Sequence, residues 1–198
     1  MSEQRTEIRI ALPSKGVLEQ ESLDLLSNAG LRVYKPNPRQ YRASIPGLPG
    51  LIVLFQRPGD IVVSVRDGSV DFGITGWDIF SERRNDNADL VVLQQDLGIG
   101  ACTLNVIVPE AVEKVNSMDD LISWRQKLKR PLHAASKFPV LSRDFFERHN
   151  LADTQIKSGL NIFLYVSNSL PWESEHQVNV HAVKVTVHQS CYSLAGSG

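Results

Sequence analysis

The chain has 198 residues, a formal net charge of −1, 42% apolar and 22% charged residues. That composition is ordinary for a globular protein of one large or two small domains. With no lysine- or arginine-rich block, it gives no support to a nucleic-acid or membrane role. Ile8 to Leu12 alternates charged and apolar residues and predicts a first strand. From Val17 to Ala29, Leu18, Leu25, Leu26 and Ala29 fall on one helical face, and Gly30 supplies the stop. Residues 35–50, rich in proline and glycine, read as a long loop with a short hairpin. Leu51 to Phe55 predicts a buried strand. Pro58 to Arg66 predicts a helix with Ile61, Val62 and Val65 inward, ended by Gly68. Phe72 to Thr75 is a short strand, and Gly76 leads into a helix from Trp77 to Glu82.

Leu90–Leu93 and Thr103–Val108 are two further strands, with the turn Asp96-Leu97-Gly98-Ile99-Gly100 between them. Ser117 caps a helix that runs to about Lys127, with Asp119 and Asp120 where the helix dipole favours them. Leu132 to Ala135 is a strand, and Val140 to His149 a helix with Leu141, Phe145 and Phe146 apolar. Strands alternating with helices through short glycine-bearing turns predict an α/β protein with mainly parallel sheets. From Leu151 onward strand propensity dominates, through Ile162 to Val166 and the alternating Val178, Val180, Val183, Val185 and Val187. His176, His181 and His188 read as a surface strand face, and Leu194 to Gly198 as a disordered end.

Cys102 and Cys191 form neither a C-x-x-C pair nor a zinc spacing, and Cys102 is expected in the core. The polar start MSEQRTEIRI carries no apolar leader, and the longest apolar runs are strand-length. The expected setting is therefore the reducing cytoplasm, away from membranes.

Three turns stand where strands hand over to helices: Pro13-Ser14-Lys15-Gly16, Gly73-Ile74-Thr75-Gly76 and Ser136-Lys137-Phe138-Pro139. Ligands collect at the carboxyl ends of strands in open α/β sheets, and helix N-termini there offer N–H groups to anions. Two of the turns carry a lysine, a compact charge suited to a phosphate oxygen, and Arg57 follows the Leu51–Phe55 strand. On spacing alone these residues fit either a solvated loop or a site for a phosphorylated small molecule. No G-x-S-x-G, paired nucleophile and base, or metal-ligand spacing is present, so no protein-held metal is expected.

Five segments resemble, in order and spacing, the catalytic chain of ATP phosphoribosyltransferase, the first enzyme of histidine biosynthesis. They are Arg9-Ile-Ala-Leu-Pro-Ser-Lys-Gly16, Phe55-Gln-Arg-Pro-Gly-Asp-Ile61, Asp71-Phe-Gly-Ile-Thr-Gly-Trp-Asp78, Asp96-Leu-Gly-Ile-Gly-Ala-Cys102, and Ala135-Ser-Lys-Phe-Pro139 followed by Arg143. The resemblance implies a two-lobed fold like the type II periplasmic binding proteins. Lobe one would span 1–94 and lobe two 95–155, with an atypical tail, 156–198, returning toward lobe one. It implies attack of N1 of ATP on C1′ of phosphoribosyl pyrophosphate, with Mg²⁺ escorting the phosphates. Lys15 and Arg57 are the implied catalytic cations. Gly16, Asp60, Asp71, Gly73, Thr75, Gly76, Lys137 and Arg143 are the implied substrate-binding residues. An oligomer and a synthetase-like regulatory subunit, as in the family's short form, are the implied partners.

The chain also departs from that pattern. Val17 and Ala101 stand where the family usually has arginine. The family's phosphoribosyl pyrophosphate loop, an acid followed by Thr/Ser-Gly-x-Thr-Leu, has no counterpart after residue 151, where the end reads as replaced, frameshifted or diverged. The alternative to an active enzyme is an impaired family member that binds a nucleotide or small anion.

Overall fold

The computed structural model describes residues 6–84, 90–94, 96–102, 104–109, 115–128, 130–158, 165–167, 180–183 and 191–196. The chain divides into two compact units, residues 1–101 with 189–198, and residues 102–188.

The first unit opens with β1 (Ile8–Pro13), α1 (Val17–Asn28), β2 (Arg42–Ser44) and β3 (Leu51–Gln56). It continues with α2 (Pro58–Arg66), β4 (Phe72–Gly76), α3 (Trp77–Arg83) and β5 (Leu90–Gln94). The second unit holds β6 (Val106–Pro109), α4 (Met118–Lys127), β7 (His133–Ser136), α5 (Pro139–Arg148), β8 (Gln155–Ser158), β9 (Tyr165–Ser167) and β10 (Val180–Val183). The chain then supplies β11 (Cys191–Gly196) to the first unit.

The first sheet has the order β2-β3-β1-β4-β11-β5. At its centre β1 runs parallel to both β3 and β4, while β2 and β11 are antiparallel to their neighbours. Side chains on a strand alternate between faces, and β1 shows the consequence. Ala11 packs with Ile61, Val62 and Val65 of α2 and Phe80 of α3, whereas Leu12 packs with Leu26 of α1, Val53 and Phe55. Both β1 residues and the three α2 residues are fully buried, as the helical period of 58–66 predicts. In α1 the buried residues are Ser22 and Leu26, while Ala29 is exposed beyond the helix end. Gly30 follows with φ 78°, and the Leu31 N–H donates to the Leu26 carbonyl at 2.8 Å, closing the helix. The loop of residues 35–50 contains the hairpin partner β2.

The second sheet has the order β10-β6-β9-β7-β8. Val106 and Val108 turn inward from β6 onto Leu121, Leu132, Phe145, Phe146 and Leu151. Ser117 caps α4, its Oγ accepting from the Asp120 N–H at 3.1 Å.

Some placements differ from the sequence-based expectation. The first unit keeps residues 95–101, because Leu97 packs on the α1 side of the sheet and the Gly100 N–H donates to Glu21 Oε2 of α1 at 2.9 Å. Residues 156–188 belong to the second unit, where β9 pairs with β6 and β7, and β10 with β6. Leu194 to Gly196 is strand, not a disordered end: β11 fills the slot between β4 and β5, which would otherwise present two unpaired edges. Cys102 is exposed rather than core, because regular pairing of β6 starts only at Val106. Residues 162–164, His176 and His188 lie outside the described residues.

Candidate functional site

The ladder between β1 and β3 runs from Ile8↔Leu51 to Pro13↔Gln56, so both strands end at one edge of the sheet. The Ser14 N–H donates to the Gln56 carbonyl at 2.8 Å, carrying the pairing one residue further. The Ser14-Lys15-Gly16 turn thereby lies beside Arg57. Gly16 is the N-cap of α1 with φ 83°, a conformation that strains any L side chain even though nothing lies within 4 Å of an added Cβ. Arg57 is the N-cap of α2, extended at φ −67° and ψ 144°, with Pro58 at the first helical position. Its carbonyl accepts from the N–H groups of Asp60 (2.9 Å) and Ile61 (3.1 Å).

Neither helix start has a side-chain cap. The Glu19 N–H turns back to the Gly16 carbonyl at 3.2 Å and Pro58 has no N–H, which leaves the N–H groups of Val17 and Leu18 in α1 and of Gly59 in α2 for an anion. Lys15, Gly16, Arg57 and Asp60 are all exposed around these two starts. Two cations and two helix N-termini at adjoining strand ends suit the oxygens of a phosphate or pyrophosphate, while the Asp60 carboxylate suits a cation or a hydroxyl donor.

The β4 segment divides. Gly76, at the carboxyl end, is the N-cap of α3, and an added Cβ would fall 2.3 Å from Asp78 Oδ1. Thr75 is fully buried, its Oγ1 donating to the Pro58 carbonyl at 3.1 Å. Thr75 thus pins the first turn of α2 to the sheet instead of facing a ligand. Gly73 pairs with Ala11 in mid-strand, and an added Cβ would meet Ile61 Cγ2 at 2.4 Å. Its bareness lets α2 close on the sheet. Asp71 stands before β4, at the opposite edge: Oδ2 accepts from the Arg9 N–H at 2.7 Å, and its own N–H donates to the Arg9 carbonyl at 2.9 Å. The structure therefore gathers Lys15, Gly16, Arg57 and Asp60, with Gly76 at the next strand end. It does not bring Asp71 or Gly73 to them.

In the second unit, β7 passes through exposed Lys137 into α5, whose N-cap, Phe138, provides no side-chain cap. Below this turn Ser136 and Ser142 are fully buried. Ser142 Oγ donates to the Phe138 carbonyl at 2.7 Å and lies 2.8 Å from Ser136 Oγ, which accepts from the Phe138 N–H at 3.0 Å. That network fixes the turn, while Lys137 and Arg143 face solvent.

Sequence reasoning missed two residues beside the first group. Gln56, the last residue of β3, holds a buried Oε1 with no hydrogen-bond donor. Lys35 reaches Glu19 in the first turn of α1 at 3.2 Å and lies 3.8 Å above the centre of the Phe55 ring. Gln56 lies within the Phe55–Ile61 segment but is given no role there, and Lys35 carries no sequence signal because it comes from the long loop and meets its partners only through the hairpin. Among the described residues no group of three His, Cys, Asp or Glu side chains could hold a metal ion, and no helix is long and apolar enough to cross a membrane.

The fold is that of the two-lobed type II periplasmic-binding-protein class, carrying lysine-bearing turns at strand ends in each unit. Solved structures it is similar to include an ATP phosphoribosyl transferase (HisG:HisZ) complex from Thermotoga maritima, at TM-score 0.58 and 14% identity over 96% of this chain and 87% of that one. Another is a putative binding component of an ABC transporter from Wolinella succinogenes, at TM-score 0.50 and 14% identity over 98% and 84%. The ATP phosphoribosyltransferase family model matches residues 57–160. The chain is 39% identical over 151 residues to ATP phosphoribosyltransferase 1, chloroplastic, of Arabidopsis thaliana, covering 75% of this chain and 37% of that protein. It is 35% identical over 159 residues to the ATP phosphoribosyltransferase of Brucella anthropi, covering 77% and 69%. The chain belongs to the ATP phosphoribosyltransferase family. It spans little more than a third of the Arabidopsis relatives' length.

Proposed function

We propose that the chain transfers the phosphoribosyl group of phosphoribosyl pyrophosphate to N1 of ATP, releasing pyrophosphate, as the first step of histidine biosynthesis. One observation within the family frame carries this reading: Lys15 and Arg57 stand exposed at two adjoining helix starts that no side chain caps. In the reaction the N1 lone pair forms a bond to C1′ while the C1′–O bond to pyrophosphate breaks and its electrons leave with the pyrophosphate. Positive charge develops at the ribose carbon and negative charge on the leaving group. Cations and backbone donors fixed before the reaction stabilise that charge without a covalent nucleophile.

Lys15 and Arg57 take the pyrophosphate oxygens, with Gly16 letting the backbone come close. Lys137 and Arg143 are the exposed cations that the second unit itself offers to a phosphate. Thr75 and Gly73 act by positioning α2. Mg²⁺ would come with the phosphate substrates and offset their charge, and Asp60 is the exposed carboxylate beside these turns that would face it. A synthetase-like regulatory subunit, an oligomeric assembly and a cytoplasmic location complete the proposal. The Thermotoga structure is a HisG:HisZ complex, which supports the first of these, while the Arabidopsis relative is named chloroplastic.

The test incubates the chain with ATP, phosphoribosyl pyrophosphate and Mg²⁺ and measures phosphoribosyl-ATP and pyrophosphate. Equal amounts of the two products support the assignment. Nucleotide binding without product at any enzyme concentration overturns it and leaves a binding module.

A further inference from the structure

We infer that Lys35 is a positioning residue that holds the two phosphate-facing turns in register. The inference rests on the function proposed above and goes beyond the residues assigned to it. Lys35 Nζ pairs with Glu19 Oε1 at 3.2 Å and sits 3.8 Å from the Phe55 ring centre. The two charged side chains retain only 17% and 24% of their exposure. Glu19 is the third residue of α1, directly after the Lys15-Gly16 turn, and Phe55 is two residues before Arg57. One ammonium group therefore touches both elements that carry the site's cations.

Its backbone is tied to the sheet. The Tyr34 N–H donates to the Ser44 carbonyl at 2.8 Å and the Ser44 N–H returns to Tyr34 at 3.3 Å, fastening the backbone beside Lys35 to β2 and so to β3. The use of Glu19 differs from that of the corresponding acid in α4. There Asp120, third in its helix, closes a capping box, accepting from Ser117 Oγ at 2.8 Å and the Asn116 N–H at 3.1 Å. In α1 the acid is drawn aside to Lys35, so the helix start is held in place with no side chain lying across it. A site that must offer its N–H groups to an anion needs both conditions.

The experiment compares Lys35→Met, which keeps the apolar stem, with Lys35→Arg, which keeps the charge, the pair and the ring contact. Amide hydrogen exchange of residues 19–23, the hydrogen-bonded amides of the first turns of α1, is read alongside kcat and KM. Lys35→Met is expected to speed exchange there about tenfold while α2 amides stay unchanged. It is expected to lower kcat/KM about tenfold or more, since small misplacements of binding groups are costly. Lys35→Arg restores both. Unchanged exchange overturns the inference. Faster exchange with unchanged kcat/KM also overturns it, because Lys35 would then only stabilise the helix. If the wild-type chain forms no product, the functional reading fails separately, and affinity for inorganic pyrophosphate by calorimetry replaces kcat/KM under the same two criteria.

Discussion

Lys15 and Arg57 are exposed and lie beyond their strands, so their loss removes charge without opening the core. Lys15→Met is expected to lower kcat/KM about a hundredfold, the scale for removing one preorganised donor from a developing charge, with no change in melting temperature. Steady-state kinetics and a thermal melt check both parts. Gly73 behaves in the opposite way. Its missing Cβ is where Ile61 Cγ2 lies, 2.4 Å away, and Val65 Cγ2 is at 3.2 Å. Gly73→Ala is expected to cost about 1–3 kcal/mol through overpacking, visible as a lower denaturation midpoint, with KM for the surviving folded enzyme little changed. The sequence marked both residues as candidates on the same turn argument, and only one of them belongs to the turn. Lys15 was legible because a strand, a glycine and a helix follow one another locally. Asp71 and Gly73 were not separable from Gly76, because a five-residue strand carries its ends to opposite edges of the sheet, and only pairing with β1 tells which edge is which.

The helices were legible from period and punctuation alone. Ile61, Val62 and Val65 are buried, and Ser117 caps α4. What the sequence concealed was how helix ends are used. Arg125 in the last turn of α4 donates to the Asp153 carboxylate through Nε, at 3.4 Å to Oδ1, and through Nη2 to Oδ2. The Arg125 hydrogen bonds hold the Asp153 carboxyl below its usual pKa, against a smaller upward push from burial. A carboxylate whose native pKa is depressed binds fewer protons folded than unfolded between the two values. Its stabilisation is therefore complete above the unfolded value of about 4 and fades as pH falls through the native one. Asp153 keeps 47% side-chain exposure, so solvent screening keeps the effect small. Asp153→Asn is expected to melt slightly below the wild type near neutral pH, and the gap should close as the pH falls below about 4. Melts across that range check it, and a gap independent of pH would contradict the assignment.

At the scale of the whole chain, the α/β class and the return of the chain to its first unit follow from different information. The first is written in local alternation from Ile8 to Arg148, where each strand and helix carries its own period. The second depends on a strand that pairs with residues more than a hundred positions earlier, Cys191 with Gly76 through Ala195 with Phe72. No short-range pattern announces such a partner, and the small residues Ala195, Gly196, Ser197 and Gly198 suggest a loose end instead. The family match stops at residue 160, yet the sheet slot beside β4 is filled. β11 also pairs with β5 from Ser193↔Gln94 to Gly196↔Leu90, and it is the neighbour that joins β5 to the rest of the sheet. A chain shortened to residue 188 would leave the β4 edge without its partner and β5 without its connection. Unpaired edges that carry exposed Val91 and Leu93 recruit other chains. The shortened chain is therefore expected to melt at lower temperature and to elute as concentration-dependent assemblies on gel filtration. Adding Lys at both Val91 and Leu93 should reverse the assembly without restoring the melting temperature, because charge blocks edge pairing but does not replace the lost strand.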